Sequence, residues 1–371
     1  MDILIIAILI VYSLYLVMIL VFIIGLIRIK NQTALVQNST IPLSVVVAVR
    51  NEEENIDALL NSLLSQNYPS DNYEIVLVDD HSTDSTFSKI KSRATDFNNI
   101  SLIELPNGHE GKKQAIALGV EKAKNDLVVF TDADCSHPKS WLQSITNRFA
   151  ETNPNLIIGP VMLGPANSFF QQMQSLEHSS LTASTIGACE MGIPFMASSA
   201  NLAFDKQKLG FNMQMLNPLQ PSGDDVFLLH SAKRFDRKRI VCVHGPASLV
   251  TSKPADSLLS FLIQRARWAS KATSYRDLTS IAVALIVLLL NLILVTLLIY
   301  ILYAPQLWPL LAIGFAVKTI IDLPLLWIYL KVYRAVNLLK VFIPLQLVYP
   351  FYILFAATIS VFGKTKWKGR G

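Results

Sequence analysis

Two aspartates one residue apart, Asp132 and Asp134, end the apolar run in "NDLVVFTDADCSHP" (125–138). Acids of this type and spacing can share a hard divalent cation, or one can take the cation while the other holds a sugar hydroxyl. Mg²⁺ prefers one or two carboxylates plus substrate phosphate oxygens, so such a pair can anchor a diphosphate. A lone D-x-D is more often a pair of solvated loop acids. Here Asp79-Asp80 closes a second apolar run, "YEIVLVDD" (73–80), which shifts the balance toward a site. A further pair, Asp224-Asp225, stands in "SGDDVFLL" (222–229). That stretch also reads as a helix N-cap with acids in the first turn, which stabilises any helix. Both readings of it can hold at once. The Gly-Lys at 111–112 is no P-loop: it lacks the G-x-x-x-x spacing, and Lys113 stands where Ser or Thr is required. The histidines, at 81, 109, 137, 178, 230 and 244, pair at no metal spacing and are assigned no catalytic role.

Positioning such acids requires strands that end together. "SVVVAV" (44–49), "YEIVLVDD" (73–80), "ISLIEL" (100–105) and "DLVVFTDAD" (126–134) read as buried strands. Between them lie helix-like patterns, at Ile56–Leu64 and at "GKKQAIALGVEKAK" (111–124), and "HSTDS" reads as a loop ending in a helix cap. Strands alternating with helices imply an α/β fold with a mostly parallel sheet and helices on both faces. In such sheets ligands bind beyond the carboxyl ends of the strands, where both acid pairs fall.

The chain of 371 residues is 52% hydrophobic, and the excess is concentrated. Residues 3–27 carry no charge and are long enough to cross a bilayer, as are about 281–304 and 341–363. A cleaved signal peptide fits the first run poorly, because it is too long and no basic residue precedes it. Residues 306–330 are apolar too, but contain Lys318 and Asp322, which could pair with each other or line a polar cavity. The expected layout is an N-terminal span (1–30), a globular domain (40–255), an amphipathic interfacial helix (256–277), two or three spans (278–363) and a basic tail (364–371). Arg28, Lys30, Arg265, Arg267, Lys271 and Arg276 flank the domain, so the positive-inside rule puts it on the cytoplasmic side of an inner or plasma membrane. Lys331, Arg334 and Lys340 precede the last apolar run and more basic residues follow it, which one crossing cannot satisfy. Three cysteines without paired spacing suit a reducing compartment. The net charge of +5 gathers at membrane boundaries, which argues for headgroups rather than nucleic acid.

These residues together resemble the membrane-embedded family 2 glycosyltransferases, the group that includes the cellulose and hyaluronan synthases. The resemblance runs from about Ser44 to Trp268. It rests on "VAVRNEEENI" (47–56), "VLVDDHSTDST" (76–86), "GKKQAIALG" (111–119), "TDADCSHP" (131–138), "SSANLAF" (198–204), "SGDDVFLL" and "QRARW" (264–268). It implies a glycosyltransferase A-type, nucleotide-sugar-binding domain. Arg50, Glu52 and Asp80 would line the nucleotide pocket, Lys112 would approach the nucleotide, and Asp132 would contact the donor. Asp134 would ligate Mg²⁺ or Mn²⁺, and Asp225 would be the general base. Asp224, with Gln264, Arg267 and Trp268 of a Q-x-x-R-W motif, would lie by the acceptor and diphosphate. The stretch "GKKQAIALG" departs from the family in carrying a second lysine, which leaves open whether Lys112 or Lys113 faces the ligand.

Sugar transfer needs a leaving diphosphate whose charge is neutralised, and a base within reach of the acceptor hydroxyl. A lone carboxylate acting by direct displacement inverts the anomeric centre. In 256–275, Ser260, Gln264, Arg267, Lys271 and Ser274 fall on one helical stripe and Leu258, Leu259, Phe261, Leu262 and Ile263 fill the remainder. Arg267 and Trp268 are then either interface anchors or a diphosphate clamp and a platform under a sugar ring. The expectation is an inverting, metal-dependent transferase using a nucleoside-diphosphate sugar, UDP-linked by resemblance, with a lipid-linked or membrane-proximal acceptor. A processive polysaccharide synthase and an inactive membrane scaffold are the alternatives. Asn291, Lys318, Asp322, Asn337 and Gln346 are few polar residues with which to line a polymer channel.

Overall fold

The computed structural model describes residues 2–30, 38–220 and 222–362. They form two compact units. One gathers the described residues of 33–164 and 196–253, the other those of 1–32, 165–195 and 254–365. The globular stretch expected at 40–255 is therefore interrupted, because residues 165–195 belong with the apolar helices. The basic tail at 364–371 lies outside the described residues.

In chain order the elements begin with α1 (Asp2–Lys30), β1 (Leu43–Val49), α2 (Ile56–Leu64), β2 (Tyr73–Asp79), α3 (Thr86–Asp96), β3 (Ile100–Glu104) and α4 (Lys112–Lys122). Then come β4 (Leu127–Phe130), β5 (Cys135–Ser136), α5 (Trp141–Thr152), β6 (Leu156–Ile158), β7 (Val161–Leu163) and α6 (Phe169–Glu190). Next are β8 (Leu202–Asp205), α7 (Lys206–Leu209), α8 (Asp224–Asp236), β9 (Ile240–Cys242), β10 (Val250–Ser252) and α9 (Leu258–Ser270). The chain closes with α10 (Leu278–Tyr300), α11 (Trp308–Val332) and α12 (Phe342–Phe362).

The first unit is an α/β layer built on a seven-stranded sheet of order β3-β2-β1-β4-β8-β6-β9. All neighbours are parallel except β8, which runs antiparallel to both β4 and β6. Val45, Val46 and Val47 are all buried, so β1 is covered on both faces, as a near-continuous β-branched run requires. A small second sheet, β5-β10-β7, lies in the same unit. The four strands read from sequence all form. The last ends at Phe130 instead of Asp134, because a turn takes over, with the Cys135 amide donating to the Asp132 carbonyl (3.1 Å).

Among the described residues, the second unit holds four helices long and apolar enough to cross a membrane, Ile5–Ile29, Leu278–Tyr300, Pro305–Val332 and Val336–Ile359. Three of them thus follow the α/β stretch. α1 and α6 cross at Gly25 and Gly187, where a Cβ on either would collide with the other helix's backbone. Four polar residues of the spans form one network. Lys318 donates to Asp322 (2.7 Å) and to Gln346 Oε1 (2.5 Å). Gln346 Nε2 donates to Asp322 (2.8 Å), whose other oxygen accepts from the Tyr15 hydroxyl (2.6 Å). Of the two readings of Lys318 and Asp322, the pair is the one that forms. Asn291, fully buried, donates to the Val287 carbonyl of its own helix (2.7 Å).

Candidate active site

The acids collect at the carboxyl ends of β1, β2 and β4. β1 has β2 on one side and β4 on the other, so the chain reverses its winding direction here, the place where such sheets bind ligands. Arg50 follows β1 directly, and its Nη1 donates to the Asp80 carbonyl (2.7 Å) and lies 3.6 Å from that residue's carboxylate. The Asp80 carboxylate is fully buried and also accepts from the Gly111 amide (3.1 Å), at the start of α4. Asp80 thus ties three segments of the rim together. Its neighbour Asp79 accepts from the amide and hydroxyl of Ser82 and shapes the loop leading to α3. Glu52, half-buried, accepts from Asn55 Nδ2 (2.7 Å).

Lys112 occupies the centre. Its ammonium donates to Asp132 (2.8 Å) and to the Ser199 hydroxyl (2.8 Å), and lies 3.4 Å from the Asp224 carboxylate. Burial alone would lower its pKa, but Asp132, Asp224 and Asp225 together push it well above the ordinary lysine value. Lys112 is therefore a fixed cation, neither an acid nor a base. Lys113, the next residue, is placed differently: its ammonium donates to the Leu216 and Asn217 carbonyls (2.6 and 2.9 Å). The structure thereby separates the two lysines that the sequence could not.

Asp134 accepts from the Ser252 hydroxyl (3.0 Å). Burial first, then the charges of Asp132 and Glu52, raise its carboxyl above the usual range. The turn carrying both acids is braced from beneath by His137, whose ring bonds Thr131 Oγ1 (2.7 Å) and Ser62 Oγ (2.9 Å). Burial lowers that imidazole to about 3, so it stays neutral and serves the turn alone. Asp224 and Asp225 open α8 after Gly223, whose φ of +88° is a left-handed conformation that suits glycine. Asp224 is buried and Asp225 half-buried, and the helix N-terminus favours both charges.

Among the described residues no three His, Cys, Asp or Glu side chains converge as a metal cage. The donor set nonetheless fits a hard cation. Asp132 and Asp134 offer carboxylate oxygens in a region of excess negative charge, and Mg²⁺ or Mn²⁺ bound with a diphosphate needs no more protein ligands than these.

Gln264, Arg267 and Trp268 lie on α9, in the unit of apolar helices. The charged residue of this motif that the helix buries is Arg265, which pairs with Glu177 of α6 and packs over the Trp268 ring (4.1 Å to its centroid). Leu258, Leu259 and Ile263 are exposed on the same helix. Reasoning from sequence missed Arg265 and Glu177, because two charges 88 positions apart carry no periodic signal. It also passed over Ser199 and Asn201 inside "SSANLAF". Ser199 reaches both Asp132 oxygens at 3.3 Å. Asn201 accepts from Trp141 Nε1 (3.0 Å) and donates to the Pro160 and Ser248 carbonyls.

Fold and site together define an α/β architecture of the glycosyltransferase A type. Residues 44–211 match the family described as Glycosyl transferase family 2. The stretch 33% identical to glycosyltransferase AglE of Haloferax volcanii covers 124 residues, 33% of this chain and 40% of that protein. An undecaprenyl-phosphate 4-deoxy-4-formamido-L-arabinose transferase of Aeromonas hydrophila is 32% identical over 134 residues, 36% of this chain and 40% of its own length. The chain thus spans two fifths of the length of these curated relatives. Among solved structures, the mannosyltransferase PcManGT of Pyrobaculum calidifontis, in complex with GDP-Man and Mn²⁺, superposes with a TM-score of 0.55 at 18% identity. That match covers 96% of this chain and 99% of the other, and establishes the shared fold. The narrower likeness to cellulose and hyaluronan synthases finds no counterpart among these relatives.

Proposed function

We propose that this chain transfers a sugar from a nucleoside-diphosphate donor to a lipid-linked or membrane-proximal acceptor, with inversion at the anomeric carbon. The observation that carries the reading is the Lys112 ammonium held between Asp132 and Asp224 at the strand-end rim. It brings the donor-side acids of the β4 turn and the acid pair of α8 into one cluster. In this reading Asp132 holds the donor sugar, Lys112 meets the diphosphate, and Asp225 takes the proton of the acceptor hydroxyl as it attacks. Asp134, with Asp132, would hold Mg²⁺ or Mn²⁺, which as a Lewis acid neutralises charge on the departing diphosphate. Arg50, Glu52 and Asp80 shape the nucleotide side of the site. Gln264, Arg267 and Trp268 are assigned to the acceptor by resemblance alone.

Transfer of one sugar is favoured over processive synthesis by the state of the spans. Lys318, Asp322 and Gln346 bond one another, and Asn291 Nδ2 bonds its own helix, which leaves few polar groups to line a passage. Lipid acceptors appear in the names of relatives, the undecaprenyl-phosphate transferase and a beta-monoglucosyldiacylglycerol synthase of Synechocystis. Two alternating crossings, by α10 and α11, would return Lys331, Arg334 and Lys340 to the side of the membrane on which α10 begins, in keeping with a cytoplasmic domain.

The test is purified full-length protein in detergent, offered UDP- and GDP-sugars with Mn²⁺ or Mg²⁺, with free nucleoside diphosphate as the readout. Release with one donor, lost in Asp225→Asn while donor binding is retained, is the expected result. Metal-independent release, or full activity in Asp225→Asn, would overturn the assignment of roles.

A further inference from the structure

We propose that Lys113 is a positioning residue that fixes the acids of α8, a role that rests on reading Asp225 as the base. Lys112 and Lys113 are the first two residues of α4, the end of a helix where the backbone dipole disfavours cations. Two lysines there need compensation, and each has its own. Lys112 goes to the carboxylates, as described above. Lys113 is only 6% exposed, and burying an ammonium requires that its donors be satisfied.

Its partners bracket the acid pair. Before it in sequence, the ammonium takes the Leu216 and Asn217 carbonyls (2.6 and 2.9 Å), at the end of a short 3₁₀ turn, Met213–Leu216. Asn217 there has a left-handed φ of +53°, so the chain reverses where Lys113 grips it. After the pair, the same ammonium lies 4.9 Å from the centre of the Phe227 ring, on α8 two residues beyond Asp225. Lys112 reaches Asp224 itself (3.4 Å). The first turn of α4 therefore holds the start of α8 before, at and after its acids. A methionine at 113 could fill the apolar volume, but it would take the ammonium from the buried Leu216 carbonyl and leave the Asn217 carbonyl with the Gln220 amide (3.1 Å) in place of two donors.

The consequence is kinetic. A base displaced by about 1 Å can lose about 100-fold in rate. The donor contacts expected at Lys112, Asp132 and Asp134 do not pass through Lys113. Lys113→Met in the full-length protein is expected to lower kcat by roughly 10- to 100-fold with donor KM changed by less than about threefold. Hydrogen exchange should rise in 213–227 and stay unchanged in β1, β2 and β4. Lys113→Gln, which keeps one donor, should show the same split with a smaller loss. In an Asp225→Asn background, Lys113→Met should produce no further fall in the residual rate, because it acts through the group already removed.

An unchanged kcat, equal losses in kcat and donor binding, exchange rising throughout the sheet, or additive losses in the double variant would overturn the positioning role. Full activity of Asp225→Asn would instead overturn the base assignment. The exchange pattern in Lys113→Met would then still decide whether Lys113 holds the loop.

Discussion

Replacing Lys112 with methionine removes the ammonium that contacts both Asp132 and Asp224, at nearly constant side-chain volume. An exposed ion pair contributes about 0–1 kcal/mol. Stripping one partner from a fully buried pair costs about 3–5 kcal/mol. Lys112 and Asp224 are 17% and 7% exposed at their side chains, whereas Asp132 is 31% exposed and keeps some hydration. The expected loss therefore lies between those limits, at about 2 kcal/mol, or about 5 °C in melting midpoint for a unit of this size. The pH dependence gives a second handle. Because the Lys112 pKa is raised in the fold, its contribution is complete below its ordinary value of 10.5 and is lost only as pH climbs past the raised one. Melting of wild type and variant in detergent should thus show a constant gap from about pH 6 to about pH 9. The variant should also gain more from added Mn²⁺ than wild type does, since the acids then lack the Lys112 charge. A variant as stable as wild type across that range would refute the argument that Lys112 neutralises this cluster.

Asp134→Asn should separate stability from activity. Its carboxyl is raised in the fold by burial and by Asp132 and Glu52, so any stability it contributes is lost as pH rises through the folded value. At about pH 7 the neutral amide should raise the melting midpoint while donor-dependent release of nucleoside diphosphate disappears, and a lowered midpoint would contradict the electrostatics. For the buried Glu177–Arg265 pair, Glu177→Gln or Arg265→Met alone should cost about 3–5 kcal/mol, and the double variant distinctly less than the sum. Additive losses in denaturant titrations would show that the two charges do not depend on each other.

Much of the α/β unit was legible because β-branched runs of five to seven residues, each followed by a polar break, have few other solutions. "SVVVAV" and "YEIVLVDD" form β1 and β2 nearly to the residue. The helix after "HSTDS" begins at Thr86, directly past that stretch, although the Ser85 side chain makes no capping bond. The acids at 132 and 134 were found for the same reason, since a buried strand delivers them. What escaped were partnerships between distant positions. Nothing local marks Ser199 as the hydroxyl beside Asp132, or tells Lys112 from Lys113, because consecutive helical residues point about 100° apart and only the fold fixes which faces the acids. α9 was misjudged in one respect. Its polar stripe was read from Gln264 and Arg267, while the residue buried is Arg265, whose charge is tolerated because Glu177 meets it. The excursion of 165–195 out of the α/β unit was also invisible, since α6 is neither apolar enough for a span nor broken by linker residues.

That excursion bears on how the protein is made. β8 stands between β4 and β6 and bonds to both, yet it emerges from the ribosome after α6. When α6 is synthesised, β1 to β4 can already pair, but β6 has no route into the sheet, because the strand that bridges them has not been translated. α1 exists by then, and α6 can seat Gly187 against Gly25 before the bridging strand appears. Chain order thus makes β1 to β4 and both partners of the Gly25–Gly187 crossing available before the short segment Leu202–Asp205 that joins the two halves of the sheet.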